Sequence, residues 1–443
     1  MKALLVFPTP KREEVYFNTL PPLGMLTIAS YLESKSIPTD VVDCHVTRKM
    51  KNFADYDVIC FSVNVANVEN TVEYIKEIRA LGGNRKIIIG GPQDAHRAEF
   101  WVREHGVNAV VIGEGEIIIH NYLTAADPLT VKGLVVKDPH GKIVFTGPAP
   151  LVMKLDTLPF AALDKVPIHK YNSPFKQAFP ISSIITSRGC PSQCTFCFHN
   201  PVWRQRSAKN VVDEMEWQHK KLGVNEFWVA DDNFTLNRQR AWDICEDIIK
   251  RGLNIKLQCK NGIRVDKVDY ELLKKMKEAG VWLVSVAPES GNPETLIRVK
   301  KDFTLERVDQ VVKWCKELDI KTVALFIIGL PWETPKDIYD TLEFARKLNA
   351  DFVQFARYTP IEGTPLYEEV KDRLVGEFND VAIHAGTLNY NAPHISAEEM
   401  GAFYKTAYRS YYLRLSKIFN ILRMLSLRDI FYSLKYTLAS GNM

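Results

Sequence analysis

No stretch of the 443-residue chain is long and apolar enough to span a bilayer, because charged residues or prolines interrupt every hydrophobic run. An excess of one charge is also missing. The 57 Lys and Arg against 53 Asp and Glu leave a net +4, too little for a bulk electrostatic footprint on nucleic acid. Cysteine is scarce, with eight in the whole chain, so a disulfide framework is excluded. Such usage fits a reducing compartment, with any clustered thiols serving a metal or catalysis. The start, "MKALLVFPTP", lacks a secretory h-region, since Pro8, Lys11, Arg12 and Glu13 cut its apolar stretch short. Solenoid repeats and low-complexity tracts are absent. These absences predict a cytoplasmic protein with no nucleic-acid partner. The length predicts two to four domains, and 46% hydrophobic with 25% charged residues is enough to give each a core.

What is present is a long alternation of β-branched runs and amphipathic segments. Residues 2–7, 57–63, 86–91 and 108–116 read as buried parallel strands, and 23–36 and 68–82 as helices between them. This is a doubly wound α/β domain over 1–154, closed by a hairpin in 131–147 that turns at Asp138 to Gly141. A proline-marked stretch, 155–178, reads as a linker. A second βα series occupies 179–370, with strands expected at 182–187, 226–231, 255–260, 282–287, 321–329 and 351–357. Six βα units predict a partial (β/α)6 barrel, whose ligands sit at the carboxyl ends of the strands. Residues 371–443 predict a C-terminal helical region.

The stretch "SRGCPSQCTFCFHN" (187–200) places Cys190, Cys194 and Cys197 directly after the first barrel strand. Three thiols are one short of a closed structural zinc site. They suit a four-iron cluster with one corner left open, and an open metal position is a catalytic feature. The Cys-x3-Cys-x2-Cys pattern in this place resembles the radical S-adenosylmethionine (SAM) superfamily. The resemblance implies a [4Fe-4S] cluster on these three cysteines and SAM chelated to the fourth iron. Reductive cleavage of SAM then gives a 5′-deoxyadenosyl radical that abstracts hydrogen from an unactivated carbon. It further implies that Phe196 lies against adenine and that Asp231 and Asp232, in "DDNF", meet the SAM ammonium. Arg264 in "GIRVD" would meet a carboxylate or a polar substrate. Glu289 and Ser290 in "APESG" would bond the ribose or the methionine carboxylate. Gly329 and Pro331 in "IIGLPWET" would bring backbone groups to adenine.

The first domain resembles the cobalamin-binding subgroup of that superfamily through "PPLGMLTIASYL" (21–32), Gly90-Gly91-Pro92 and Gly113-Glu114-Gly115-Glu116. The resemblance implies a cobalamin site built from Ser62, Gly90, Gly91, Gly113, Glu114 and Gly115. Many such domains carry Asp-x-His-x-x-Gly after the first strand, with the histidine on cobalt. Here Asp43-Cys44-His45 follows the second strand, and Arg48 replaces the glycine. His45 therefore reads as a loop residue, and cobalamin is expected without a histidine lower ligand. His199 reads as a hydrogen bonder beside the cluster, and Cys60, Cys245, Cys259 and Cys315 as small core residues.

The tail interleaves Leu415, Phe419, Leu422 and Leu425 with Arg414, Lys417, Arg423, Arg428 and Lys435. It reads as a helix over the barrel with its basic face in water. The competing reading is peripheral contact with a membrane that supplies a lipid-like substrate. The function expected from all this is cobalamin-dependent methylation of an unactivated carbon in a small-molecule or lipid-like substrate. An electron donor such as flavodoxin or ferredoxin is implied. The alternatives are a radical cyclase, oxidase or carbon–carbon coupling enzyme without methyl transfer, and a non-catalytic iron–sulfur protein. The substrate itself is not written in the sequence.

Overall fold

The computed structural model describes residues 1–9, 19–47, 50–91, 97–173, 175–375 and 390–424. They divide into two compact units: Met1–Ser173 with 180–183 and 220–224, and the remainder.

The first unit is a seven-stranded sheet. Its strands are β1 (Ala3–Phe7), β2 (Thr39–Asp43), β3 (Val58–Ser62), β4 (Lys86–Gly90), β5 (Ala109–Val111), β6 (Leu134–Lys137) and β7 (Ile143–Phe145), in the order 2-1-3-4-5-6-7. The first five run parallel and the last two pair antiparallel. The order reverses at β1 and β3, the doubly wound switch point. Helices α1 (Leu23–Ser34), α2 (Val68–Ala80), α3 (Ala98–Glu104) and α4 (Gly115–Thr124) connect the strands. Leu4, Val6, Ile59, Phe61, Ile87, Ile89 and Trp101 share one buried cluster, which is why these strands read as unbroken apolar runs. β5 stops five residues before the expected end. Gly113 takes φ +120° and α4 starts at Gly115. In the hairpin, the Asp138 carboxylate accepts from the His140 and Lys142 amides at 2.8 and 2.9 Å, and Gly141 supplies φ +84°. The proline-marked stretch is held down on this unit. The Ala162 amide bonds Leu26 O, Ser30 Oγ bonds Phe160 O, and Tyr171 OH bonds Asp43 Oδ2 at 2.9 Å.

The second sheet has six strands, in the order β15-β14-β13-β12-β11-β8. Its strands are β8 (Ile181–Ile184), β11 (Glu226–Val229), β12 (Lys256–Cys259), β13 (Val281–Glu289), β14 (Lys321–Ile328) and β15 (Phe352–Arg357). The two-residue strands β9 (Ser187–Arg188) and β10 (Arg204–Gln205) pair antiparallel and staple the base of the cysteine loop. Helices α5 (Ala208–Leu222), α6 (Arg238–Lys250), α7 (Tyr270–Glu278), α8 (Pro293–Arg298), α9 (Leu305–Glu317), α10 (Pro335–Leu348) and α11 (Pro365–Val370) lie between or after the strands. Side-chain caps start several of them: Asn237, Asp269, Thr304 and Thr364 accept from amides of the first turn.

Helices α12 (Ala397–Tyr412) and α13 (Leu415–Met424) follow. α12 covers the free edge of β15. Tyr412 OH accepts from the Val353 amide at 2.9 Å and donates to Val353 O at 2.7 Å. Tyr408 OH does the same for Phe355, at 3.2 Å each way. The Arg357 guanidinium lies 4.5 Å over the Tyr404 ring. Two strand residues rise about 6.6 Å and four helix residues about 6 Å, so the two spacings match and the edge is closed without another strand. The basic face expected in water is partly spent on the protein. Lys417 is buried, with Nζ bonded to Ala350 O and, at 3.3 Å, to Asn349 O, while Arg414 bonds Arg346 O at 3.3 Å. Both cations meet carbonyls at the carboxyl end of α10, where the helix dipole favours positive charge. Leu425, Arg428 and Lys435 lie outside the described residues. Among those described, no helix is long and apolar enough to cross a membrane.

Candidate functional site

The cysteine loop is fixed at its base by backbone geometry. Gly189 adopts φ +83°, and a Cβ there would stand 2.4 Å from Val202 O and 2.8 Å from Asn200 O. This lets the Cys190 amide bond Asn200 O at 2.9 Å and close the loop on itself. The far side is tied down as well. The Thr195 amide bonds Val299 O and Thr195 O accepts from the Leu366 amide, joining the loop to the ends of α8 and α11. The Cys197 amide bonds Cys194 O, and Cys190, Cys194 and Cys197 are all free thiols. His199 is half-buried and approaches Cys197 O through Nδ1 at 3.2 Å, beside the loop.

Burial pushes the Cys194 and Cys197 thiols up, Cys197 to about 11, and the neighbouring thiols add to it; Lys301 acts in the opposite direction. Two cations flank the loop. Arg264 Nη1 donates to Ser192 Oγ at 2.5 Å while its other nitrogens hold Asp266. Lys301 Nζ pairs with Glu289 Oε1 at 2.8 Å and lies 5.8 Å over the Phe196 ring. Among the described residues no three His, Cys, Asp or Glu side chains are drawn to the spacing of a single ion. A four-iron cube is wider than one ion and takes its thiolates at separate corners. Three soft donors on a fastened loop, with two cations to offset thiolate charge, fit that group.

The structure separates the two neighbouring aspartates. Asp231 is buried, and its oxygens accept from the Thr186 amide and Oγ1 at 2.5 Å and from Ser187 Oγ at 2.6 Å. Arg240 lies 3.5 Å away and also holds Thr186 O. Asp231 thus locks the end of β8 against β11 and is not presented to a ligand. Asp232 is exposed and reaches the Gly189 amide, at the entry to the cysteine loop. Of the two carboxylates, only that of Asp232 is exposed. Glu289 and Ser290 also differ from expectation. Glu289 holds φ +64°, an unfavourable angle for a glutamate, and spends its charge on Lys301. Ser290 is fully buried and shares a 3.0 Å bond with Thr341 Oγ1.

The fifth-strand loop does meet the cysteine loop. Phe196, Ile327 and Leu330 belong to one apolar cluster with Val299, Tyr358 and Tyr390. Gly329 has φ +83°, and its amide and that of Leu330 donate to Glu333 Oε2 at 2.7 and 2.9 Å. Tyr390 OH bonds Gly329 O. Pro331 is buried in this turn. Glu333 is itself buried, which pushes its carboxyl up to about 8. The Phe196 ring thus lies beside a turn whose backbone is held by Glu333.

In the first unit, Ser62, Gly90 and Gly113 stand at the carboxyl ends of the adjacent strands β3, β4 and β5 or just beyond. A Cβ at Gly90 would make only an ordinary contact, 3.7 Å from Val111, and one at Gly113 would lie 3.4 Å from Ile118, so both leave room along this edge. This edge fits a large flat cofactor and its tail. Gly91 and Gly115 answer to the protein's own packing: a Cβ on Gly91 would stand 1.9 Å from Val63 O, and one on Gly115 2.7 Å from Ile28 Cδ1. Glu114 accepts from the Val152 amide at 2.9 Å. His45 stacks on Phe7 with centroids 4.8 Å apart in the loop after β2. Its burial disfavours the charged ring.

Sequence reasoning missed Asn67, Thr186, Arg240, Lys301, Glu333 and Tyr390. Asn67 is buried at the switch point, with Nδ2 bonded to Pro8 O and Ser62 O. None sits in a distinctive pattern except Glu333, four residues after a strand-ending glycine.

Residues 184–345 match the radical SAM superfamily, and residues 14–123 match the B12 binding domain. An uncharacterised methyltransferase of Pyrococcus horikoshii is 30% identical over 94% of this chain and 93% of its own length. The anaerobic magnesium-protoporphyrin IX monomethyl ester cyclase of Rubrivivax gelatinosus is 29% identical over 80% of this chain and 67% of its own. Among solved structures, the radical SAM methyltransferase TsrM of Kitasatospora setae, with cobalamin and a [4Fe-4S] cluster bound, superposes with a TM-score of 0.71. At 18% identity, over 97% of this chain and 89% of that one, the likeness is one of fold.

Proposed function

Because the chain belongs to the radical SAM enzymes that carry a B12-binding domain ahead of the barrel, we propose that it methylates an unactivated carbon of a small molecule. The observation that carries this reading is the pairing, in one chain, of the fastened three-thiol loop with a doubly wound domain whose strand ends Ser62, Gly90 and Gly113 lie open. When bound, the cluster, SAM and cobalamin supply radical hydrogen abstraction and a transferable methyl group.

The chain's own residues do the rest. Cys190, Cys194 and Cys197 would hold the cluster. Asp232 would orient the SAM ammonium by a charge-assisted bond, and Arg264 its carboxylate. Phe196 would lie against adenine, with Glu333 keeping the neighbouring Gly329–Pro331 turn in place. Lys301 offsets the charge of the thiolates. On the cobalamin side no histidine directly follows β1 in the sequence, so the chain would hold a bound cobalamin without a histidine ligand. The electron comes from a low-potential donor of flavodoxin or ferredoxin type.

The resemblance to the cyclase of Rubrivivax gelatinosus favours one second reading, radical ring closure without methyl transfer. The test is anaerobic. The cluster is reconstituted, hydroxocobalamin added and unbound cofactor removed, and cobalt and iron are counted per chain. Near-stoichiometric cobalt without a histidine-ligated spectrum is expected, and S-adenosylhomocysteine should then form alongside 5′-deoxyadenosine. An intact cluster that retains no cobalamin overturns methyl transfer. Retained cobalamin with 5′-deoxyadenosine alone selects the cyclase-type reading.

A further inference from the structure

Helix α13 shows its apolar face to the outside. An amphipathic helix on a protein surface normally turns its apolar stripe to the core and its charges to water. Leu415, Ile418 and Phe419 stand at i, i+3 and i+4 and share one face. They are 85%, 38% and 55% exposed, and Leu413, just before the helix, is 68% exposed. The cations point the other way. Lys417 stands about 200° around the helix from Leu415 and is 3% exposed, with Nζ on Asn349 O and Ala350 O. The Arg414 guanidinium lies 4.3 Å over the Tyr411 ring and bonds Tyr411 O and Arg346 O. These bonds hold α13 to the carboxyl end of α10 by its basic side, which leaves the apolar side outward. Exposed hydrophobic residues scattered singly need no explanation, but four within one short segment form a patch of the kind that meets a partner.

The charge around the patch identifies that partner. Arg346, whose carbonyl Arg414 holds, and Lys316, whose charge acts on Lys417, are both exposed. Neither has an ion-pair partner among the described residues. The sequence extends the pattern. Residues 405–443 carry seven Lys and Arg against a single acid, Asp429, although the whole chain nets only +4. The excess positive charge of the protein is therefore gathered at this end. A second copy of the chain seated on the patch by two-fold symmetry would set these cations against their own kind. An anionic bilayer offers what both features need: an acyl boundary for the leucines, isoleucine and phenylalanine, and phosphates for the lysines and arginines.

We propose that this face is a peripheral docking surface for an anionic lipid bilayer, entered by Leu413, Leu415, Ile418 and Phe419 and flanked by Lys316 and Arg346. The docking is independent of the radical chemistry. The test sediments the full-length protein, anaerobically and after cluster reconstitution, with vesicles of phosphatidylcholine alone and of phosphatidylcholine and phosphatidylglycerol in equal parts. The protein should bind the mixed vesicles about tenfold more strongly than phosphatidylcholine alone and lose that preference as salt is raised. Leu415→Ser should weaken binding to the mixed vesicles about tenfold, the transfer value of one leucine side chain, while Leu415→Phe retains it. Iron per chain should be unchanged in both variants. Failure of wild type to pellet with the mixed vesicles overturns the proposal. So does equal binding to both vesicle types, or a Leu415→Ser protein that binds like wild type. Sedimentation equilibrium without lipid covers the other occupant: a dimer that Leu415→Ser dissociates gives the face to a second copy and overturns the proposal as well. The wild-type comparison of the two vesicle types decides the matter even if a variant fails to fold.

Discussion

Asp231 and Asp232 are adjacent in the chain and play different parts. Removing the Asp231 carboxylate strands Arg240, Thr186 and Ser187 in a buried site, so Asp231→Ala should cost about 3–5 kcal/mol in urea unfolding. Asp232→Asn should leave stability within about 0.5 kcal/mol, because the side chain is exposed, and should weaken SAM binding instead. Equal destabilisation by both would put Asp232 in the same buried lock. Glu333 gives a pH signature. Its carboxyl titrates near 4.5 when unfolded and at about 8 when folded, so the native state holds the proton more tightly. The stability it contributes is complete below pH 4.5 and is lost as the pH rises through 8, on the order of 2–4 kcal/mol. Urea midpoints at pH 5.5 and 8.5 should show this loss in wild type and not in Glu333→Gln.

The cysteine loop and α12 are both tied to the backbone of their neighbours. At Gly189 the chain passes so close to Val202 O and Asn200 O that an alanine must push them apart. Gly189→Ala should therefore lower the iron retained per chain after reconstitution, although all three thiols remain. At the other edge of the barrel, Tyr412→Phe leaves the Val353 amide and carbonyl without their partner. The cost should be about 1–3 kcal/mol, read as faster hydrogen exchange at Val353. Unchanged exchange there would mean that α12 does not close the edge. Both devices were hidden from sequence reading. A helix pattern marks which face is apolar, but not that its tyrosine hydroxyls will stand in for a missing strand.

The chain carries two separate sheets, each with its own set of strand-end residues. Replacing Cys190, Cys194 and Cys197 together by alanine should abolish cluster iron and leave cobalamin retention intact, measured as iron and cobalt per chain. Loss of both would show that cobalamin retention depends on the cluster.

The sequence by itself determined the two βα series, the cysteine loop and its chemistry, because these are local. Apolar runs of strand length, glycines at their ends and thiols at fixed spacing act through neighbours in the chain. Strands at 226–229, 256–259 and 352–357 fell where the apolar runs placed them, whereas β5 stopped early because Gly113 turns the chain. Only the tertiary structure decided which polar groups face a ligand. Asp231 and Ser290 sit beside the expected ligand site in sequence, but distant partners, Arg240 and Thr341, draw them inward. Lys301 and Glu333 were unremarkable in the chain until folding set them against the thiols and the Gly329 turn. A polar side chain is assigned by whichever donor or acceptor is nearest once water is excluded, and that neighbour is set by packing across the sheet.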